Sequence, residues 1–383
     1  MDKVLMDSSA QRLHNGSVSV VSERGETAIG VYLLILGCLS WAGNSVVIVL
    51  LFRQRHTLEP HDYLTFNLAI SDISISVFGY SRGILEVFNV LRDNGYLITA
   101  IWTCQVDGFL ILLFGLLSIN TLTAISVIRY IKGCQPHQAY KVDSRSVVLI
   151  LGLLWLTALF WAGAPLVGWG SYTGRKYGTC EIDWTKATFS RAYRSYVVGI
   201  FFFNFFLPVS IMVFSYVSII RTVRSSHKSS RGGEVTERQR RIEHNLTRVS
   251  FVICVAFLLA WSPYAVISMW SACGLQVPPL TSVVASLFAK TASFYNPFIY
   301  MGMSSKFRND LRKLIHCVGR KSQRGALPPA IHLIYSTAEE PQPARDMPPA
   351  GVHNGVDPSE KGRRPSRTTS LVIQHRASQS GRL

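Results

Sequence analysis

The chain of 383 residues has few acidic side chains: 22 Asp and Glu stand against 39 Lys and Arg, which gives a formal net charge of +17. In a soluble protein such an excess usually forms basic surface patches, as in proteins that bind nucleic acid. Here the basic residues are separated from long apolar segments, and 48% of all residues are hydrophobic. The separation favours a membrane protein with no role in nucleic-acid binding.

Three further features are missing, and each argues against a class of protein. No repeat of roughly 20–50 residues stands out, which argues against a solenoid. Neither broken helices nor inverted repeats, which mark many transporters, are evident in the pattern. Residues 1–22 are polar and lack the apolar core of a cleavable signal peptide, so we expect the first apolar segment to direct membrane insertion.

Seven apolar segments are each long enough to cross a bilayer, which takes roughly 20 helical residues. We name them spans one to seven in chain order: Ala28–Phe52, Tyr63–Phe88, Ile98–Tyr130, Val147–Trp169, Tyr196–Ile220, Val249–Trp270 and Leu280–Met303. The sequence predicts an all-α membrane protein, a seven-transmembrane helix bundle over residues 28–318 that includes a short amphipathic eighth helix. An N-terminal tail (1–27) would precede it, and a disordered cytoplasmic tail (319–383), rich in Pro, Ser, Gly and Arg, would follow.

The orientation follows from the charges of the loops. Basic residues gather after spans one, three and five, whereas the loop between spans six and seven has no charge. The positive-inside rule therefore predicts an extracellular N-terminus and a cytoplasmic C-terminus, in a multi-pass protein of the plasma membrane, although the loop between spans four and five is also basic. The sequon at Asn15 would then lie outside and be glycosylated.

Ionisable side chains within the spans are costly and usually functional, and four of them carry the argument: Asp72, Asp107, Arg129 and Lys290. Lys290 follows the start of span seven by about ten residues, which places it roughly 15 Å deep. Burial favours a neutral amine, and a neutral amine attacks aldehydes to form a Schiff base. A lysine permanently paired with a carboxylate is the alternative at this stage.

Asp107 is the natural partner for a cation at Lys290. It lies three residues after Cys104 on nearly the same face of span three, roughly 4.5 Å deeper. Glu86 and Glu181 are weaker candidates, because the first lies nearer the extracellular end and the second lies in a loop. No metal site is predicted.

Span seven carries the residues that connect the chain to a known family. Lys290 precedes Asn296-Pro297-Phe-Ile-Tyr300 at the spacing of the retinal lysine and the NPxxY segment of opsins. The chain therefore resembles an opsin, a retinal-binding rhodopsin-like G-protein-coupled receptor, and segments such as Val213–Ile220 are most similar to the neuropsin group. Further agreement with the wider receptor family comes from Gly43, Asn44, Asn67, Asp72, Trp155, Pro208, Tyr216, Trp261 and Pro263.

The resemblance implies a light-activated receptor and not an enzyme. Lys290 would hold 11-cis or all-trans retinal as a protonated Schiff base. Light would then drive span six outward. Pro263 and Pro297 each remove a helix hydrogen bond and give kinks on which such a movement could act. The implied partners are a heterotrimeric G protein, arrestin, a receptor kinase and the lipid bilayer. The implied pocket residues, which an ordinary aromatic core would also explain, are Trp261, Tyr264, Phe257 and Gly115, and the implied activation switch is Arg129, Glu243, Tyr216, Asn296, Pro297, Tyr300 and Asp72.

The cysteines fit the same picture. Cys104, Cys180 and Cys273 fall at or outside the extracellular face, where a disulfide could persist. The resemblance implies a bond between Cys104 and Cys180, with free thiols as the alternative. Cys317 ends the amphipathic stretch after span seven, where a cysteine is either palmitoylated or unmodified.

Two departures from the family pattern carry consequences. Opsins commonly place a glutamate six residues before the loop cysteine, where it can act as counterion, but that position here is Gly174. We therefore predict that Asp107 is the main counterion. The family's Asp/Glu-Arg-Tyr is Ile128-Arg129-Tyr130 here, so Arg129 would depend on Glu243 or else meet solvent and headgroups. Raised dark activity would follow from the first case.

Two other functions remain open from the residues. A retinal photoisomerase would share Lys290 but has less need of a surface that couples to a G protein. A receptor for a diffusible amine would carry its aspartate seven residues after the cysteine of span three, and that residue is Ile111.

Overall fold

The computed structural model describes residues 23–88, 101–175, 179–226 and 234–324, which form a helical bundle with one small hairpin. Each of the seven predicted spans corresponds to helical structure over its described residues, and the predicted fold class is confirmed. Span five is interrupted by a π-helical turn at Phe202–Phe206, and span seven is divided after Lys290. The helices are Glu23–Arg53, Pro60–Val87, Ile101–Cys134, Ser144–Gly163, Arg191–Phe201 with Leu207–Ser226, Glu234–Ala272, Pro279–Lys290 with Ala292–Met303, and, as helix eight, Ser305–Arg324.

Two boundaries differ from the expected ones. The first helix begins at Glu23, before residue 28, and helix eight continues to Arg324, beyond residue 318. The sequon at Asn15 and the tail beyond Arg324 lie outside the described residues. Cys317 belongs to helix eight, but its side chain lies outside the described part as well.

Local signals explain where two of the helices begin. Span two starts at Pro60, whose missing N–H costs nothing in the first turn, and the Asp62 carboxylate accepts a 2.9 Å bond from the Glu59 backbone N–H. Span four starts after Asp143, whose side chain accepts from the Ser146 backbone N–H at 2.9 Å. Hydrogen bonding from the Ser146 side chain, together with this backbone bond, holds the pKa of the Asp143 carboxyl below its usual range.

Among the described residues, five helices are long and apolar enough to cross a membrane by composition alone: spans one, three, four, five and six. Span seven fails that measure because it consists of two helices of 12 residues each. Large apolar side chains point outward from spans four and five, which is the arrangement expected against lipid. They include Leu149, Leu153, Leu156, Phe160, Val198, Phe202 and Phe214.

Span three runs through the middle of the bundle, with buried residues from Cys104 near one end to Arg129 near the other. Its two halves belong to two apolar cores. One core surrounds Leu113 and Trp161, and the other surrounds Leu122 and Met212. The functional groups described below lie within or between these cores.

A two-stranded antiparallel hairpin follows span four. Strand β1 is Tyr172–Arg175 and strand β2 is Thr179–Ile182, with Gly174 opposite Cys180. A disulfide joins Cys180 to Cys104 across a Cα–Cα distance of 5.4 Å, so the predicted pairing is confirmed. The hairpin rests closely on span three, because a Cβ at Gly108 would lie 2.5 Å from the Tyr172 ring.

Hydrogen bonds connect span seven to span one at a backbone carbonyl that Pro297 leaves without a helical partner. Pro297 has no N–H, so the Ser293 carbonyl four residues earlier loses its helical partner. That carbonyl accepts instead from the Ser40 hydroxyl at 3.1 Å and from the Asn44 amide at 2.9 Å. A Cβ at Gly43 would lie 2.9 Å from the rigid Pro297 ring, so glycine permits this approach.

We expect Gly43→Ala to lower the stability of the protein, because the added methyl displaces Pro297 and strains the bonds to Ser293. Overpacking of this kind costs about 1–3 kcal/mol, which exceeds the roughly 0.5–1 kcal/mol that alanine gains over glycine in a helix. Gly152→Ala is the matched control, since a Cβ there meets nothing within 4 Å. Thermal unfolding in detergent measures both variants, and equal melting temperatures would contradict the close packing of spans one and seven.

Candidate functional site

A cavity of about 160 Å³ lies between spans three, five, six and seven and the hairpin. Five residues that the sequence analysis selected line it: Gly115, Phe257, Trp261, Tyr264 and Lys290. Most of the remaining wall is apolar and comes from residues such as Ile111, Leu112, Ile119, Ile182, Ile200 and Phe205. The cavity is therefore an apolar space that contains a single amine among its described lining residues.

Span six supplies the aromatic wall. Phe257, Trp261 and Tyr264 are spaced by four and three residues, which places them on one helical face. The ring of Trp261 stacks on Phe257 with centroids 5.8 Å apart and meets the ring of Tyr264 edge-on at 5.9 Å. Across the cavity, a Cβ at Gly115 would lie 3.5 Å from Trp261, so the glycine leaves room beside the indole.

Lys290 is the last residue of the first helix of span seven, where the helix breaks. Its amine donates a hydrogen bond to the Gly79 carbonyl of span two and lies 5.3 Å from the centroid of the Tyr80 ring. The Tyr80 hydroxyl donates to the Lys290 carbonyl and also contacts the Ser293 hydroxyl. Span two thus holds both the amine and the backbone at the break.

The sequence analysis did not single out Tyr80. It is fully buried and bridges the break in span seven, yet a tyrosine in an apolar segment gives no signal that its hydroxyl meets a break in another helix. The bridging role of Tyr80 follows only from its contact with span seven, which is distant in the sequence.

Glu181 shares the cavity with Lys290. It lies on strand β2 next to the disulfide, and its carboxylate accepts a 2.6 Å hydrogen bond from the Tyr264 hydroxyl. The sequence analysis ranked Glu181 as a weaker partner because of its loop position. The hairpin, however, turns this loop residue into part of the cavity wall.

Asp107 has a partner that the sequence analysis missed. Its carboxylate lies 3.0 Å from the guanidinium of Arg82, which also donates to the Thr103 hydroxyl at 3.0 Å. The sequence did contain a clue to this pair, because Arg82 is an ionisable residue inside span two. Asp107 is not among the described residues that line the cavity, whereas Glu181 is.

At the other end of the bundle, Glu243 of span six contacts two cations of span three. Its carboxylate lies 3.1 Å from Arg129 and 3.4 Å from Lys132. Arg129 is only 2% exposed, so contact with solvent or headgroups does not describe its surroundings. The structure therefore brings Arg129 and Glu243 together as the sequence analysis expected and adds Lys132, which that analysis did not consider.

The remaining predicted switch residues lie on the inner faces of spans two, five and seven. The Asn296 amide donates to the Asp72 carboxylate at 2.6 Å, and the Tyr216 hydroxyl lies 3.6 Å from the Cys254 sulfur. Tyr300 packs against Phe307 of helix eight, with ring centroids 5.9 Å apart. These contacts connect the middle of span seven to span two and its end to helix eight.

Comparisons with known proteins agree with this arrangement. The 7 transmembrane receptor (rhodopsin family) model matches residues 43–300. Opsin-5 of Homo sapiens is 38% identical over 298 residues, which cover 76% of this chain and 81% of that protein. The visual pigment-like receptor peropsin of Homo sapiens is 31% identical over 307 residues, covering 79% and 88%. The crystal structure of squid rhodopsin matches with a TM-score of 0.68 and 27% identity, covering 81% of this chain and 94% of that one.

The chain is therefore a seven-transmembrane receptor of the rhodopsin family, a multi-pass membrane protein. Within that family it belongs to the light-sensing opsins, and the predicted likeness to the neuropsin group is confirmed by the match to Opsin-5.

The pair of Arg82 and Asp107 generates a test of stability. The two side chains are 12% and 22% exposed, so each charge depends on the other more than a surface pair would. We expect Arg82→Met and Asp107→Asn each to destabilise the ligand-free protein by about 1–3 kcal/mol. The double variant should lose less than the sum, because neither charge is then left without the other.

A double-mutant cycle of thermal unfolding in detergent measures this coupling. Purely additive losses would show that the two charges do not stabilise each other. The same cycle on Asp183 and Lys186, a more exposed pair at 3.1 Å in the loop, is the control and should give a smaller coupling.

Proposed function

We propose that this chain is a light-activated receptor that binds retinal through a protonated Schiff base at Lys290 and signals to a heterotrimeric G protein. It would lie in the plasma membrane with its N-terminus extracellular and its C-terminus cytoplasmic. The observation that carries the proposal is one lysine amine at an apolar, aromatic cavity in a chain of the opsin family.

The cavity suits retinal, 11-cis or all-trans, in its chemistry. An apolar polyene with one aldehyde needs an apolar wall and one amine, and Phe257, Trp261 and Lys290 supply these. Lys290 would hold the group covalently, since an amine condenses with an aldehyde with loss of one water, and the linking nitrogen would carry the proton. When bound, retinal supplies a chromophore whose shape changes on absorbing light.

The protein's own residues would then hold the proton and its charge. A buried cation needs a nearby anion, and two carboxylates are the candidates: Asp107, the counterion that the sequence predicts, and Glu181, which lines the cavity with Lys290. At least one of them has to stay charged in the dark for the proton to remain. Gly79, whose carbonyl already accepts from the amine, helps to orient the nitrogen.

Span six connects the cavity to the far end of the bundle. Trp261 lies against the cavity, Pro263 interrupts the helical bonding two residues later, and Glu243 contacts Arg129 and Lys132 at the end of the span. A change of shape beside Trp261 can therefore move span six about Pro263 and separate Glu243 from its two cations. Asp72, Asn296, Pro297, Tyr216 and Tyr300 would rearrange with it and open a cleft for the G protein.

Regulation would use the remaining predicted features. Arrestin and a receptor kinase would act on the active receptor, Asn15 would carry a glycan, and Cys317 would carry a palmitoyl chain that holds helix eight at the membrane.

A retinal photoisomerase would use the same cavity. The ion pairs of Glu243 with Arg129 and Lys132 favour the receptor function, because an isomerase does not need ion pairs that join spans three and six far from the ligand.

The attachment site is tested by reconstitution with retinal followed by borohydride, which reduces the imine to a stable amine. We expect a visible absorption band before reduction and a retinyl group on the peptide that contains Lys290 afterwards. Lys290→Ala should give neither, because the nucleophile is gone. Lys306→Ala, which removes an amine paired with Asp62 outside the cavity, should behave as wild type. A retinyl group retained by Lys290→Ala would refute the assignment.

Coupling to a G protein is tested by nucleotide exchange in the dark and in light. We expect light to accelerate exchange, and we expect Glu243→Gln to raise the dark rate several-fold because Arg129 and Lys132 both lose their anion. Lys132→Met should raise it less, since the Arg129 contact remains. A dark rate in Glu243→Gln no higher than in wild type would show that these ion pairs do not hold the receptor inactive. Exchange without any response to light would favour the isomerase.

A further inference from the structure

We infer that the principal counterion of this receptor is Glu181, held in place by Tyr264, and that Asp107 with Arg82 forms a nearly neutral pair beside it. The inference rests on the proposed binding of retinal at Lys290. The counterion is then not Asp107, which the sequence favoured. It also differs from the family's loop glutamate, whose position is occupied here by Gly174.

The position of Glu181 is fixed by the fold. It follows Cys180, whose disulfide to Cys104 anchors strand β2 to span three, and it stands opposite Thr173 in the hairpin. The Tyr264 hydroxyl donates to its carboxylate at 2.6 Å, a bond to an ionised acceptor that favours the charged form. Both Glu181 and Lys290 line the same cavity.

Asp107 presents less charge to the cavity than its sequence position suggests. The guanidinium of Arg82 lies 3.0 Å from its carboxylate, and a pair of opposite charges acts at a distance as a dipole, whose field falls faster than that of a single charge. Asp107 is also missing from the described residues that line the cavity. Its effect on a cation at Lys290 should therefore be the smaller of the two.

Glu181 is the one carboxylate among the described residues that line the cavity. Tyr264 of span six and Tyr172 of strand β1 also line it, and neither contributes a negative charge at neutral pH. Lys290 lines the same cavity, whereas Asp107 is paired with Arg82. In effect the loop carboxylate that is missing at Gly174 on β1 is replaced by one on the neighbouring strand β2.

Absorption spectra of the reconstituted protein test the assignment. We expect Glu181→Gln to move the band from the visible to the ultraviolet at neutral pH, because the imine then loses its proton. Glutamine can still accept from Tyr264, so the fold should survive, and Glu181→Asp should restore part of the visible band. The double variant Arg82→Met/Asp107→Asn, which removes the pair without leaving a lone cation, and the control Asp183→Asn, a carboxylate of the loop paired with Lys186, should keep the visible band.

A second measurement needs no retinal. Reductive methylation with formaldehyde modifies neutral amines, and mass spectrometry of the Lys290 peptide gives its rate in the ligand-free protein. Loss of an opposing charge at close range should raise that rate by about tenfold at fixed pH in Glu181→Gln. We expect a smaller rise in Tyr264→Phe, where the carboxylate loses its hydrogen bond, and little change in Arg82→Met/Asp107→Asn, where both charges of the pair are removed.

The two measurements separate this inference from the proposed function. A visible band lost in Arg82→Met/Asp107→Asn but kept in Glu181→Gln would overturn the inference and leave retinal binding intact. Equal methylation rates in wild type and Glu181→Gln would overturn it as well. Failure of the wild type to form a retinyl adduct at Lys290 would refute the proposed function, whereas the methylation result would still report which acid opposes the amine.

Discussion

The break in span seven is the constraint around which the rest of the bundle is arranged. Within a bilayer no water is available to satisfy a backbone carbonyl that a proline has freed, so other helices have to supply the donors. Ser40 and Asn44 of span one meet the Ser293 carbonyl, and Tyr80 of span two meets the carbonyl of Lys290. Three helices are therefore fixed relative to one another at one depth.

The functional amine is a product of that arrangement. Lys290 ends the first helix of span seven, and its amine donates to the Gly79 carbonyl of span two. Polar bonds buried in the membrane have a high cost when they are left unmade, which makes this junction rigid. A rigid junction presents the lysine to the cavity in one geometry.

The sequence predicts much of this receptor and fails in an informative way. The spans, the disulfide and the aromatic wall at Phe257, Trp261 and Tyr264 are predictable because each depends on local periodicity or on motif spacing. The pairing of Arg82 with Asp107 and the bridging role of Tyr80 are not, because both depend on which faces of separate helices meet. Glu181 was ranked low for the same reason, since only the hairpin brings a loop residue into the cavity wall.

The disulfide has a consequence beyond holding a loop. Glu181 directly follows Cys180, so the bond to Cys104 that anchors the hairpin also sets where the proposed negative charge stands. The wavelength that an imine absorbs depends on its proton, and the proton depends on that charge. With Glu181 as the counterion, the Cys104–Cys180 bond determines both the position of the hairpin and the absorption wavelength of the pigment. Reduction of that bond would therefore change both.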